Sequence, residues 1–184
     1  MALIGGARIL QYRNKHGDRV TRLREAREIR SLCSEYEALF IVNDDVELAA
    51  RVGADGVHIG QDDGAIRDAR QQLGSNAVIG ASCYDQFALA EQVRDDGADY
   101  IAFGRIYPSV TKPGDIHAPL SLLQQSKALH LPVCAIGGIT TENARPVVEA
   151  GADMVAVING LFASDDIVKA AQTLSSLFPS ESGV

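Results

Sequence analysis

Gln11, Arg13 and Lys15 alternate along an extended run, so their side chains share one face. A guanidinium fork beside an ammonium makes an anion clamp: Arg meets phosphate oxygens in pairs, Lys as a point charge. Asn43-Asp44 and Asp62-Asp63 place oxygen ligands after two further apolar segments. Two separated carboxylates suit magnesium, which usually takes one or two protein carboxylates and completes its shell with water and phosphate. Each Asp in these pairs is also a natural helix cap, and the Asp45 that follows Asp44 is read as the cap of the next helix. Ser109-Val110-Thr111-Lys112, followed by Pro113-Gly114, offers two hydroxyls and an ammonium in a loop suited to an anion. Gly137-Gly138 and Ile158-Asn159-Gly160 fall where backbone amides can approach a phosphate, and glycine permits the close approach. Ser82 adds a hydroxyl after Gly80-Ala81. Together these residues read as the site of an enzyme that handles a diphosphate and a monophosphate.

Every cluster stands where a short apolar run gives way to a helical pattern, seven times in 184 residues. The strands are read at 7–11, 39–43, 56–60, 77–82, 100–107, 133–139 and 154–158. Helical patterns fill 18–36, 45–53, 64–73, 85–96, 119–130, 141–150 and 165–178, with Thr140 as a capping residue before the sixth. One phrase recurs before three strands: Gly53-Ala54-Asp55, Gly97-Ala98-Asp99 and Gly151-Ala152-Asp153. Glycine at a helix C-terminus supplies the left-handed residue, and a tight loop then delivers the chain into the next strand. Strict alternation of this kind means a parallel sheet with helices outside. A doubly wound open sheet would show a Gly-x-Gly-x-x-Gly turn in its first unit, and none is present. Functional residues on at least six strand ends favour a (β/α)8 TIM-barrel type, in which all strand C-termini open on one face. Only seven units are counted, and residues 1–7 read as a helix end entering a strand. The expectation is a single β/α-barrel domain over 1–184, N-terminally short and lacking the first βα unit. The edge beside Gln11 would then be open, lowering stability or promoting self-association as a homo-oligomer.

An apolar share of 46% and a charged share of 22% are ordinary for one globular domain. The net charge of −7 argues against non-specific binding to nucleic acid or anionic membrane. Cys33, Cys83 and Cys134 are odd in number and widely spaced, so they read as buried thiols rather than a disulfide framework or zinc site. His58 lies in an apolar strand and reads as a satisfied core histidine, while Arg105 reads equally as a phosphate contact or a rim ion pair. No long apolar run and no basic-then-apolar leader stands out, which makes the cytoplasm the expected location and small molecules the expected partners.

Gln11-x-Arg13-x-Lys15, Asn43-Asp44, the stretch from Asp55 to Asp63, Tyr107-Pro108-Ser109-Val110-Thr111-Lys112 and Ala135-Ile136-Gly137-Gly138-Ile139 resemble thiamine-phosphate synthase, in order and over nearly the whole chain. That resemblance implies a β/α barrel joining a hydroxymethylpyrimidine diphosphate to a thiazole phosphate, or its carboxylate, to give thiamine phosphate and diphosphate. By position it implies that Gln11, Tyr12, Arg13, Asn14, Lys15 and Asn43 bind the pyrimidine diphosphate and that Asp44 and Asp63 ligate Mg2+. It further implies that Ser82 meets the pyrimidine, that Ser109, Val110 and Thr111 hold the thiazole substrate and that Lys112 holds the diphosphate side. Gly138, Ile158 and Asn159 would seat the thiazole phosphate. Arg13, Lys15, Ser82 and Lys112 are the residues expected to carry the chemistry. The chain departs from the family pattern at Ser82-Cys83-Tyr84, where many members read Ser-x-His, at Asn159, where Ser is usual, and at Arg105, often Pro. The rival readings are a thiazole tautomerase-like enzyme, which has no call for a diphosphate and metal site, and a catalytically impaired phosphate-binding barrel.

Overall fold

Glycine in a left-handed turn, a small alanine packed on the core and an aspartate that reaches back across the sheet form the joint by which this chain enters three of its strands. The computed structural model describes residues 1–61, 64–108 and 117–179. Gly53, Gly97 and Gly151 have φ of +60°, +104° or values between them. At each, paired 6→1 and 5→2 hydrogen bonds close the helix, as in Ala98 N to Val93 O and Gly97 N to Arg94 O, both 3.0 Å. The aspartate that follows then ties its own strand to the preceding one. Asp99 donates its backbone N–H to Ile79 O at 2.7 Å, and its Oδ2 accepts the Ile79 N–H at 2.7 Å. Asp55 does the same with Phe40, and Asp153 with Val133. Ala7 and Gly6 close the turn at 1–6 with the same bond pair ahead of the first strand.

The elements are β1 (Ile9–Tyr12), α1 (Arg19–Glu35), β2 (Leu39–Asn43), α2 (Val46–Val52), β3 (Gly56–Ile59), α3 (Ile66–Leu73), β4 (Val78–Tyr84) and α4 (Phe87–Asp95), then β5 (Tyr100–Gly104), α5 (Leu120–Ser126) with a 3-10 turn (Lys127–Leu129), β6 (Val133–Ile136), α6 (Ala144–Glu149), β7 (Met154–Ala156), α7 (Asn159–Phe162) and α8 (Ile167–Ser175). Among the described residues the seven strands are parallel and pair in chain order from β1 to β7. The fold is α/β, a curled sheet with one strand fewer than the eight that close a TIM barrel.

Side chains alternate across this sheet. Phe40, Val42, Val57, Ile79, Ile101, Phe103 and Val133 turn outward into the main core beneath the helices. Tyr100, Ala102 and Cys134 turn inward with Val78, Met154 and Ala156. Within the described residues β1 and β7 do not pair, so inward positions such as Ile9 and Ile136 remain 41% and 38% exposed. Gly5 lies flush against Ala171 and Val168 of α8, which with Ser175 backs the segment leading into β1.

Element boundaries differ from the sequence reading at several places, β5 for instance ending at Gly104 rather than at 107, and some of the differences have local reasons. Gly137 and Gly138, at φ +101° and +65°, end β6 at Ile136 rather than at 139. Pro146 lacks an N–H and belongs in a first turn, so α6 starts at Ala144 rather than 141. Thr140 instead accepts from Glu142 N at 3.3 Å within the turn before it. The four-residue α7 was not anticipated, because a single helical turn has no periodicity to read.

Candidate active site

Parallel strands deliver the described polar clusters to one end of the sheet. Gln11 and Tyr12 end β1, Asn43 ends β2, Ser82 lies near the end of β4, and the Gly137-Gly138 pair follows β6. Lys15 and Arg13 continue from β1, both exposed. Lys15 Nζ reaches Asp44 Oδ2 at 3.4 Å, and Asn43 Nδ2 donates to the same oxygen at 2.7 Å. Asp44 sits just past β2 with φ +56°, its N–H donating to the carbonyl of His58 at 2.9 Å. This unusual backbone turn holds the carboxylate at the mouth, where its side chain is 23% exposed. Asp45 does cap α2, accepting from Leu48 N at 2.8 Å and pairing with Arg22 at 2.8 Å.

Tyr12 and Asn14 do not turn their side chains to this mouth. Tyr12 is on the outward face, where its hydroxyl donates to Glu25 Oε2 at 2.8 Å. Burial and that carboxylate push its phenol up to about 12. Asn14 Nδ2 donates to the same Glu25 oxygen at 2.9 Å, while its Oδ1 accepts the N–H groups of His16 and Gly17. The period of two explains the division: Gln11 faces inward and its neighbour Tyr12 cannot.

Ser82 belongs to a polar chain inside the sheet that the sequence did not disclose. Its Oγ lies 2.8 Å from His58 Nε2, and His58 Nδ1 lies 2.8 Å from the Tyr100 hydroxyl. Burial raises the Tyr100 phenol above its ordinary range. His58, Gly80 and Tyr100 stand at one level across β3, β4 and β5. A Cβ on Gly80 would overlap the Tyr100 ring, so this glycine is the gap through which the phenol reaches His58. Tyr100 was read only as the start of a strand; the glycine opposite it was the available signal.

The last two strand ends are also brought together. Ile106 N and Tyr107 N donate to the carbonyls of Ile136 and Gly137, both at 3.0 Å. A Cβ on Gly138 would sit 2.7 Å from Tyr107 O and overlap Pro108 O, so the glycine admits the backbone that leaves β5. Arg105 lies over Gly137, where a Cβ would meet its side chain. Gly160, in the first turn of α7, presses on Ile139 and Thr140. Ile158 and Asn159 therefore open α7 beside the β6 loop, the arrangement of a short helix and loop that β/α barrels use for phosphate. Asp63 and the run Ser109, Val110, Thr111 and Lys112 lie outside the described residues.

The donors at the β2 end are a carboxylate and an amide oxygen, hard ligands that suit magnesium better than a thiol or imidazole metal. Among the described residues no group of three or more His, Cys, Asp and Glu gathers. Cys83 and Cys134 are buried thiols pushed up to about 12 by burial. No helix of the described residues is long and apolar enough to cross a membrane.

The thiamine monophosphate synthase family matches residues 1–161 of this chain. The thiamine-phosphate synthase of Chromobacterium violaceum is 58% identical over 177 residues, 96% of this chain and 86% of that protein. Its counterpart from Nitrosococcus oceani is 52% identical over 181 residues, 98% of this chain and 83% of that protein. Among solved structures, thiamine phosphate pyrophosphorylase from Pyrococcus furiosus superposes with a TM-score of 0.87 at 36% identity, covering 96% of this chain and 85% of that one. With sequence and fold agreeing over so much of its length, this chain belongs to the thiamine monophosphate synthase family.

Proposed function

We propose that this chain is a thiamine-phosphate synthase that joins 4-amino-2-methyl-5-(diphosphomethyl)pyrimidine to a thiazole phosphate, releasing diphosphate. The observation that carries this reading is the meeting of Lys15, Asn43 and Asp44 at one strand-end mouth, beside the inward chain from Tyr100 through His58 to Ser82. The pyrimidine methylene–oxygen bond breaks, its electron pair leaves on the diphosphate, and the thiazole nitrogen closes a new bond to the methylene carbon. The demanding feature is charge on the departing group, so positioned cations do most of the catalysis. Arg13 and Lys15 hold that diphosphate from the end of β1, and Lys112 is assigned to the same diphosphate. Gln11 and Ser82 meet the pyrimidine from opposite sides, and Asn43 steadies the diphosphate. Tyr12 and Asn14 act through the shape of the run 11–15 rather than through their side chains.

Asp44 and Asp63 would hold magnesium. A bound magnesium ion would neutralise charge on the leaving diphosphate. Gly138, Ile158 and Asn159 seat the thiazole phosphate with backbone and side-chain N–H groups, and Ser109, Val110 and Thr111 are assigned to holding the same substrate. The reaction takes place in the cytoplasm on small molecules, without nucleic acid or membrane. Purified chain, both substrates and magnesium should give thiamine phosphate by mass spectrometry, and EDTA should abolish it. A folded chain that yields none overturns the assignment.

A further inference from the structure

Glu25 stands on α1, on the outer side of β1, and one of its oxygens holds the chain at both neighbours of Arg13. Oε2 accepts from the Tyr12 hydroxyl at 2.8 Å and from Asn14 Nδ2 at 2.9 Å. Tyr12 is 7% exposed and packed in the main core, so this end is fixed. Both ends of the Asn14 amide are in use. Its Nδ2 goes to Glu25, and its Oδ1 accepts the N–H groups of His16 and Gly17 at 3.2 and 2.8 Å. The second pair of bonds turns the chain just past Lys15, as an aspartate or asparagine side chain does when it mimics a backbone turn. A Cβ on Gly17 would overlap the Asn14 amide, so the turn closes tightly on it.

Neighbours along an extended run point to opposite sides. With Tyr12 and Asn14 tied back to the helix, Arg13 and Lys15 are left to the other side, and Lys15 Nζ reaches the mouth 3.4 Å from Asp44 Oδ2. Cations held in place beforehand lose less conformational freedom when an anion binds.

We propose that Glu25 is a positioning residue for the diphosphate clamp: it pins Tyr12 and Asn14 to α1 and so aims Arg13 and Lys15 at the diphosphate before it arrives. This rests on the synthase reading. The Glu25 carboxyl is held below its ordinary range, first by the Asn14 bond and then by the Tyr12 bond, and so stands ionised. Its charge repels a diphosphate, and removing it would by electrostatics alone tighten binding. Its hydrogen bonds act in the opposite sense, so the sign of the effect separates the two.

Titration calorimetry with inorganic diphosphate and magnesium reads the clamp without turnover. Glu25→Ala should weaken binding roughly tenfold, the scale of lost hydrogen bonds to a charged group. Glu25→Gln, whose carbonyl oxygen can accept from both donors without the charge, should stay within about threefold of wild type. In turnover, Glu25→Ala should raise the Michaelis constant for the pyrimidine diphosphate by a similar factor and leave that for thiazole phosphate within about twofold. Asn14→Asp keeps the acceptor for His16 and Gly17 but sets carboxylate against carboxylate, and should weaken diphosphate binding as Glu25→Ala does. Adding Glu25→Gln returns a donor to the pair and should restore part of the affinity. Diphosphate bound as tightly or more tightly by Glu25→Ala, Glu25→Gln as impaired as Glu25→Ala, or an equal rise for both substrates overturns the proposal. Should Glu25→Ala fail to fold, Asn14→Asp with and without Glu25→Gln decides, and no recovery in the pair overturns it. An active wild type beside neutral variants sinks this proposal alone, whereas a folded wild type without product sinks the synthase reading and the proposal with it.

Discussion

Lys15 Nζ stands 3.4 Å from Asp44 Oδ2, so a cation from the end of β1 and a carboxylate from just past β2 hold one another at the mouth. A half-exposed pair of this kind contributes little to stability, and its worth lies in placement. Asp44→Ala should lower magnesium-dependent turnover about a hundredfold or more, in line with loss of a group that holds transition-state charge in place. The melting temperature should move little. Turnover titrated against magnesium checks this; an unchanged magnesium requirement would remove Asp44 from the site.

Gly138 is hemmed in by the carbonyls of Tyr107 and Pro108 and has φ +65°. Gly138→Ala should push the segment leaving β5 away from the β6 loop, at about 1–3 kcal/mol for strain at a special backbone position. The Michaelis constant for thiazole phosphate should rise more than that for the pyrimidine diphosphate. Denaturant melts and steady-state kinetics on the same sample separate the two effects.

Gly97 makes the opposite case. It has φ +96° with no atom within 4 Å of where a Cβ would sit. Gly97→Ala should cost about 1 kcal/mol from backbone conformation alone and leave kinetics untouched. Asp99→Ala, in the same joint, should cost about 1–3 kcal/mol, since the Ile79 N–H loses its acceptor. Urea unfolding midpoints rank the two.

Burial lifts the Cys83 and Cys134 thiols from 9.0 to about 12. The folded chain therefore keeps these protons at pH values where the unfolded chain has lost them. Their contribution to stability is complete below about pH 9 and should fall steadily as pH rises from 9 toward 12. Tyr12, raised from 10.0 to about 12, adds a loss beginning near pH 10. Unfolding free energies at pH 8 and at pH 10.5 test the direction. Both thiols should also resist iodoacetamide at pH 8 until the chain is unfolded.

Backbone preference and periodicity act between near neighbours, and to that extent the chain declares itself. The seven strands, their helices, the glycine-alanine-aspartate joints and the cap at Asp45 could be read from local spacing. So could the run Gln11, Arg13, Lys15, whose alternation needs no partner to be seen. What local spacing cannot carry is which strand lies beside which, and at what level. Only the register of β3, β4 and β5 puts Tyr100 opposite Gly80 and within reach of His58, joining residues 42 positions apart. Only the packing of α1 against β1 turns Tyr12 and Asn14 toward Glu25 and away from the mouth. A single turn such as α7 is decided the same way, since Gly160 is held by contact with Ile139 rather than by any repeat of its own. Element identity is local chemistry, whereas the polarity and reach of the site are set by contacts that exist only once the sheet has curled.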